Sequence, residues 1–262
     1  MTIKDDESID IQTPTGAMRT YILRPVAEGR YPGLVLFSEI FQVTGPIRRT
    51  AAMLAGHGFV VAVPEIFHEL EQAGTVLPYD QAGADRGNAD KIGKELSGYD
   101  SDARAALSYL QAHPQCTGKT GVMGFCIGGH LAFRAAMNSE VLAATCCYPT
   151  DIHKRSLGKG LHDDSLDRIP EIRGELLMVF GRQDPHVPRE GRAVIYNALA
   201  DADRNFSWHE FNGAHAFMRD EGARYDAAAA RIVYGMAIEL FHRILGEGKV
   251  AAAAKSATNV SH

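Results

Sequence analysis

The chain has 262 residues, 45% of them apolar and 23% charged, a balance that excludes disordered, fibrous and membrane-embedded classes. The formal charge is −5 with no basic stripe or block, so neither nucleic acid nor an anionic membrane is an expected partner. The four cysteines, at 116, 126, 146 and 147, form no C-x-x-C pair and no zinc spacing, so no metal or other cofactor and no disulfide framework is expected.

The length suits one domain, expected over residues 1–246, with a frayed tail over 247–262. Met1–Ile9 is acidic and polar and lacks a secretory pattern. With free cysteines, that gives a cytoplasmic expectation. Ile9–Gln12 and Met18–Leu23 flank the turn residues Thr13–Gly16 and predict a hairpin. Gly33–Phe37 and Phe59–Val63 are continuous apolar runs. They predict strands buried on both faces, and both fall far short of the roughly 20 residues of a membrane span. Gly45-Pro46 opens a helix between them that runs through Ala55. Residues 65–98 are polar and glycine-containing and predict a pocket-covering loop with one short helix near Ala84–Leu96. Asp100-Ser101 is read as the cap of the next helix, which ends at His113-Pro114.

Thr120–Met123 then predicts a strand, His130–Met137 a helix and Leu142–Tyr148 a strand. After a polar stretch to Arg173 come a strand at Leu176–Phe180, a helix at Arg189–Leu199 and a strand at Phe206–Phe211. A loop over Asn212–Gly222 leads to a long helix at Tyr225–Leu245. The alternation predicts an α/β fold, a mainly parallel sheet with helices on both faces. Ligands in such sheets bind beyond the carboxyl ends of the strands. The informative residues are therefore those that follow strands.

Gly124-Phe125-Cys126-Ile127-Gly128 is a G-x-S-x-G nucleophile turn with cysteine in the serine position. The flanking glycines are needed because strand and helix pass too close for a Cβ. The helix N-terminus favours a thiolate and an oxyanion at the turn. With four cysteines and glycine a tenth of the chain, composition alone supplies only about 0.04 such patterns. Cys116, Cys146 and Cys147 take the ordinary reading of a buried, inert thiol. Asp184 and His215 each follow a later strand, and the order nucleophile, acid, histidine is that of the α/β-hydrolase triad. Gly213 is expected to give the backbone freedom that aims the imidazole. His68, His186 and His209 have no comparable position. Glu39 follows the first buried strand, whose loop supplies an oxyanion N–H in that fold.

These residues resemble the dienelactone hydrolases (carboxymethylenebutenolidases) of the α/β-hydrolase fold. The matching pieces are Glu39-Ile40-Phe41, Gly124 to Gly129, Asp184, and Gly213-Ala214-His215-Ala216-Phe217, within a likeness spanning about residues 15–246. The resemblance implies an ester or lactone hydrolase that forms a thioester on Cys126, with Asp184 and His215 completing the triad. It implies Glu39 as the resting partner of the thiol and the backbone of Ile127 and Ile40 as the oxyanion site. The family binds an acidic substrate with two arginines. By position these correspond to Arg219, four residues after the histidine, and to Arg86 in the 65–98 loop. That loop differs from the family pattern, so an anionic substrate and the two arginines are carried by the resemblance alone. Three other readings stay open: a general carboxylesterase or thioesterase on the same triad, a non-catalytic ligand-binding protein, and a thiol redox protein. The sequence fixes no oligomeric state.

Overall fold

The computed structural model describes residues 1–250. Its frame is one nine-stranded sheet. β1 (Ile3–Thr13) and β2 (Gly16–Pro25) form the antiparallel hairpin, longer than the sequence pattern indicated because the polar N-terminal residues pair along β2. β3 (Gly29–Phe37) and β4 (Val60–Pro64) are the two apolar runs, joined by α1 (Gly45–Gly56). Beyond them follow α2 (Gln81–Gly93), α3 (Leu96–Ala112), β5 (Cys116–Phe125), α4 (Ile127–Ala135) and β6 (Val141–Cys147). The chain closes with β7 (Glu175–Gly181), α5 (Arg189–Asp201), β8 (Phe206–Phe211), α6 (Ala227–Leu245) and β9 (Lys249–Val250).

The spatial order is β1-β2-β4-β3-β5-β6-β7-β8, parallel from β4 to β8, with β9 paired to β3. The expected tail therefore begins with a short paired strand, and residues 251–262 lie outside the described residues. The chain runs from β3 to β4 on one side and then crosses back over β3 to β5 on the other. Such a reversal opens a crevice at the carboxyl ends of β3 and β5. Glu39 and Cys126 are the residues that stand there.

Both sheet faces are apolar, as the continuous runs require. Val35 and Phe37 of β3 join a core built with α3, α4 and α5, whereas Leu34 and Leu36 join a second core built with α1 and α6. The same alternation sends Cys146 to one face and Cys147 to the other. Successive strand residues point apart, so these thiols are packing groups in separate cores. Burial pushes both thiols well above the ordinary cysteine range.

Two expectations are corrected. Residues 65–98 hold a full helix, α2, and the first turn of α3 rather than a loop with one short helix. Asp100-Ser101 is not a cap, because α3 begins at Leu96. Ser101 donates back to the Gly98 carbonyl at 2.9 Å, and Asp100 accepts from Arg134. No helix among the described residues is long and apolar enough to cross a membrane.

Candidate active site

Cys126 sits between β5 and α4 with φ 59° and ψ −121°, a region that non-glycine residues occupy only when their surroundings enforce it. The enforcement is visible in the glycines. A Cβ on Gly124 would lie 1.9 Å from the Gly128 carbonyl oxygen, and one on Gly128 would lie 2.3 Å from that of Phe37. Strand and helix thus touch backbone to backbone. Cys126 is 9% exposed at the floor of a cavity of about 380 Å³.

His215, in the loop between β8 and α6, lies over this floor. Its Nδ1 is 2.7 Å from Asp184 Oδ2, and it lines the cavity together with Cys126. The Asp184 carboxylate, at the end of β7, also accepts the His186 N–H at 2.8 Å. Burial opposes the charge on both groups. On His215 the sulfur of Cys126 and the Asp184 carboxylate outweigh burial and push its pKa up to about 10. On Asp184 the His215 contact and the His186 amide outweigh burial and hold it below the ordinary carboxylate range. The ring of His215 packs edge-to-face against Tyr148 and His186, at 5.2 and 4.6 Å. Gly213, expected to give backbone freedom, is not at positive φ. Ala216 is, with φ 61°, and the space restriction falls on Gly181, whose added Cβ would meet the Gly213 carbonyl at 2.5 Å.

Glu39 is buried in the lining of the cavity that Cys126 and His215 share, and burial raises its pKa against the opposing pull of Arg219, His215 and Tyr79. Its Oε2 lies 3.4 Å from the Tyr79 hydroxyl and 3.8 Å from Arg219 Nη1. Ile127 follows Cys126 in the chain and Ile40 lines the cavity with it, and neither N–H makes a hydrogen bond among the described residues.

The two arginines part company. Arg219 lines the cavity. Arg86 does not line it. It lies on the outer side of α2, 60% exposed, and is paired with the buried carboxylate of Glu71. The sequence reading missed Tyr79, Lys91 and Arg224 and set His186 aside, yet all four line the cavity. Lys91 is held by Asp151 at 2.9 Å. Arg224 stands nine residues beyond His215, a position with no motif to mark it. His68, Glu69 and Asp102 gather potential metal-ligating atoms within 4.8 Å of one another. The cation there is the buried Lys94 ammonium, which is bonded to Glu69 at 2.9 Å and to Asp102.

A sheet with a strained residue at a strand-to-helix turn and a histidine above it defines an α/β hydrolase. Solved structures agree on the fold. That of a "putative dienelactone hydrolase" from Klebsiella pneumoniae superimposes with a TM-score of 0.81 at 20% identity, covering 93% of this chain and all of the other. The acylaminoacyl peptidase of Pyrococcus horikoshii gives 0.70 at 15% identity, covering 96% of this chain and 43% of its own. The dienelactone hydrolase family model matches residues 18–245, and the chain belongs to that family of hydrolases. A Saccharomyces cerevisiae protein named "putative carboxymethylenebutenolidase" is 42% identical over 248 residues, 90% of each chain. The carboxymethylenebutenolidase of Pseudomonas putida is 29% identical over 230 residues, 86% of this chain and 92% of its own.

Proposed function

We propose that this hydrolase opens small lactones or esters, preferentially anionic ones, through a thioester on Cys126. The observation that carries the reading is the strained cysteine sharing its cavity with a histidine that is itself held by a buried aspartate. The names of the relatives favour a lactone, and Arg219 in the cavity favours a carboxylate on it. Four free cysteines suit a reducing, cytoplasmic setting.

The Cys126 thiolate attacks the carbonyl carbon, and the developing oxyanion is received by the N–H groups of Ile40 and Ile127. Losing one donor of this kind costs about 2.7–4 kcal/mol in barrier. The C–O bond then breaks, and the His215 imidazolium gives its proton to the leaving oxygen. In a lactone that oxygen stays tethered to the acyl group. Once sulfur is acylated it carries no charge, so the largest influence raising the His215 pKa disappears. The imidazole becomes a base, takes a proton from water, and the hydroxide adds to the thioester. Collapse returns the thiolate and releases the acid. Asp184 keeps the imidazole in one tautomer throughout. Glu39, buried in the same cavity lining as Cys126, is the resting partner that substrate displaces, which keeps an idle thiolate from oxidation.

The test is turnover of a carboxylate-bearing lactone and of a neutral aryl ester by wild type and Cys126→Ala. We expect Cys126→Ala to lose at least about 10³-fold on both with unchanged thermal unfolding. Wild-type-like turnover would remove the nucleophile. Equal preference for neutral and anionic substrates would reduce the reading to a general carboxylesterase.

A further inference from the structure

We infer that Tyr79 is a positioning residue that fixes the Arg219 guanidinium over the cavity and so sets the preference for anionic substrates. The inference rests on the reading of Arg219 as the anchor of an anionic group.

The Arg219 Cζ lies 4.1 Å from the centre of the Tyr79 ring and 5.8 Å from that of Phe41. Both distances lie within cation–π range. Phe41 meets Tyr79 edge-on at 4.7 Å, so the two rings, inclined at 69°, form an angled platform against the guanidinium. Among the described residues the Arg219 side chain otherwise makes only a 3.3 Å bond to the Glu221 carbonyl and the 3.8 Å approach to Glu39. A long side chain with so few polar ties samples many rotamers. The platform is what confines it.

The ring is itself held. The Tyr79 hydroxyl donates to Glu39 and is 2.7 Å from Thr44 Oγ1. Thr44 is the N-cap of α1, yet it makes no side-chain cap bond. A capping threonine ordinarily stabilises its helix by accepting an N–H. One of the two usual donors is missing because position N2 is Pro46, and the Thr44 hydroxyl is turned to Tyr79 instead. The backbone closes the arrangement, with the Leu77 N–H bonded to the Phe41 carbonyl at 3.1 Å. Tyr79 belongs to the 65–98 segment and Phe41 to the loop after β3. The excursion thus contributes to the site the surface on which its cation rests.

The experiment reads Cys126 alkylation rather than turnover. The other three thiols are fully buried, and modification at Cys126 is confirmed by peptide mass mapping. The rate ratio of anionic iodoacetate to neutral iodoacetamide is measured for wild type, Arg219→Gln, Tyr79→Leu and Tyr79→Phe. We expect the wild-type ratio to exceed that of Arg219→Gln by about tenfold. Tyr79→Leu should fall to the Arg219→Gln value, and Tyr79→Phe, which keeps the ring, should stay within about threefold of wild type. A Tyr79→Leu ratio within twofold of wild type overturns the inference, as does a wild-type ratio equal to that of Arg219→Gln. A Tyr79→Phe ratio as low as that of Tyr79→Leu overturns the stacking assignment. Absence of lactone turnover with these ratios intact would sink the proposed function and leave Tyr79 standing.

Discussion

At the scale of single residues the chemistry depends on conformations that side chains resist. Cys126 is held at positive φ because Gly124, Gly128 and Gly129 let backbones approach within distances that any Cβ would block. This was legible in the sequence because spacing and residue type together encode the steric demand. Asp184 and His215 were singled out through chain order and strand ends, and the structure brings their side chains to 2.7 Å. Arg86 was not legible, because a positional likeness says nothing of the side chain's direction, and Glu71 supplies a buried partner on the far side of the helix. Asp184→Asn tests the orienting role. It should lower kcat by up to about 10⁴-fold. It should also alter the pH dependence of stability. A histidine raised to about 10 contributes stability that is complete below its ordinary pKa and is lost as pH rises through the folded value. Denaturant midpoints of the wild type should therefore fall between about pH 6.5 and 10. Asp184→Asn, lacking one of the interactions that raise His215, should lose its smaller share at lower pH. Parallel midpoint curves for the two proteins would contradict this.

At the scale of elements the strands and the helices α1, α5 and α6 follow from apolar patterning and turn residues, but α2 does not. Its sequence, Gln81–Gly93, carries three glycines and little apolar periodicity, and its buried residues are Gly83 and Gly87. Such a segment reads as a loop because glycine lowers helix propensity by about 1 kcal/mol per residue relative to alanine. Here the glycines are contact points. A Cβ on Gly87 would lie 2.3 Å from the Ile40 carbonyl oxygen, and one on Gly83 would lie 2.0 Å from that of Pro78. The Asp80 side chain caps the helix through the Gly83 N–H at 2.8 Å, and Lys91 ties it to Asp151. α2 therefore presses on the loop that carries Ile40, one of the two free N–H groups. Gly87→Ala should gain intrinsic helicity yet lower kcat/KM by at least about tenfold, because the added methyl displaces α2 or the Ile40 peptide. Steady-state kinetics beside thermal unfolding check this. Unchanged kinetics would show that the contact does not position the site.

At the scale of the whole molecule the sheet order explains why distant residues converge. Glu39 and Cys126 follow adjacent strands, β3 and β5, on either side of the reversal in strand order, and Asp184 and His215 follow β7 and β8. Two apolar cores fix the strands between them, so the crevice is shaped before any ligand arrives. The central claim is that the acyl group passes through the Cys126 sulfur. The most direct measurement is acid quenching within milliseconds of mixing with excess activated ester, followed by peptide mass mapping. The account predicts a single acyl adduct on the peptide bearing Cys126, released by neutral hydroxylamine as a thioester is. Turnover with the adduct on another residue, or with no adduct when hydrolysis of the acyl-enzyme limits the rate, would contradict it.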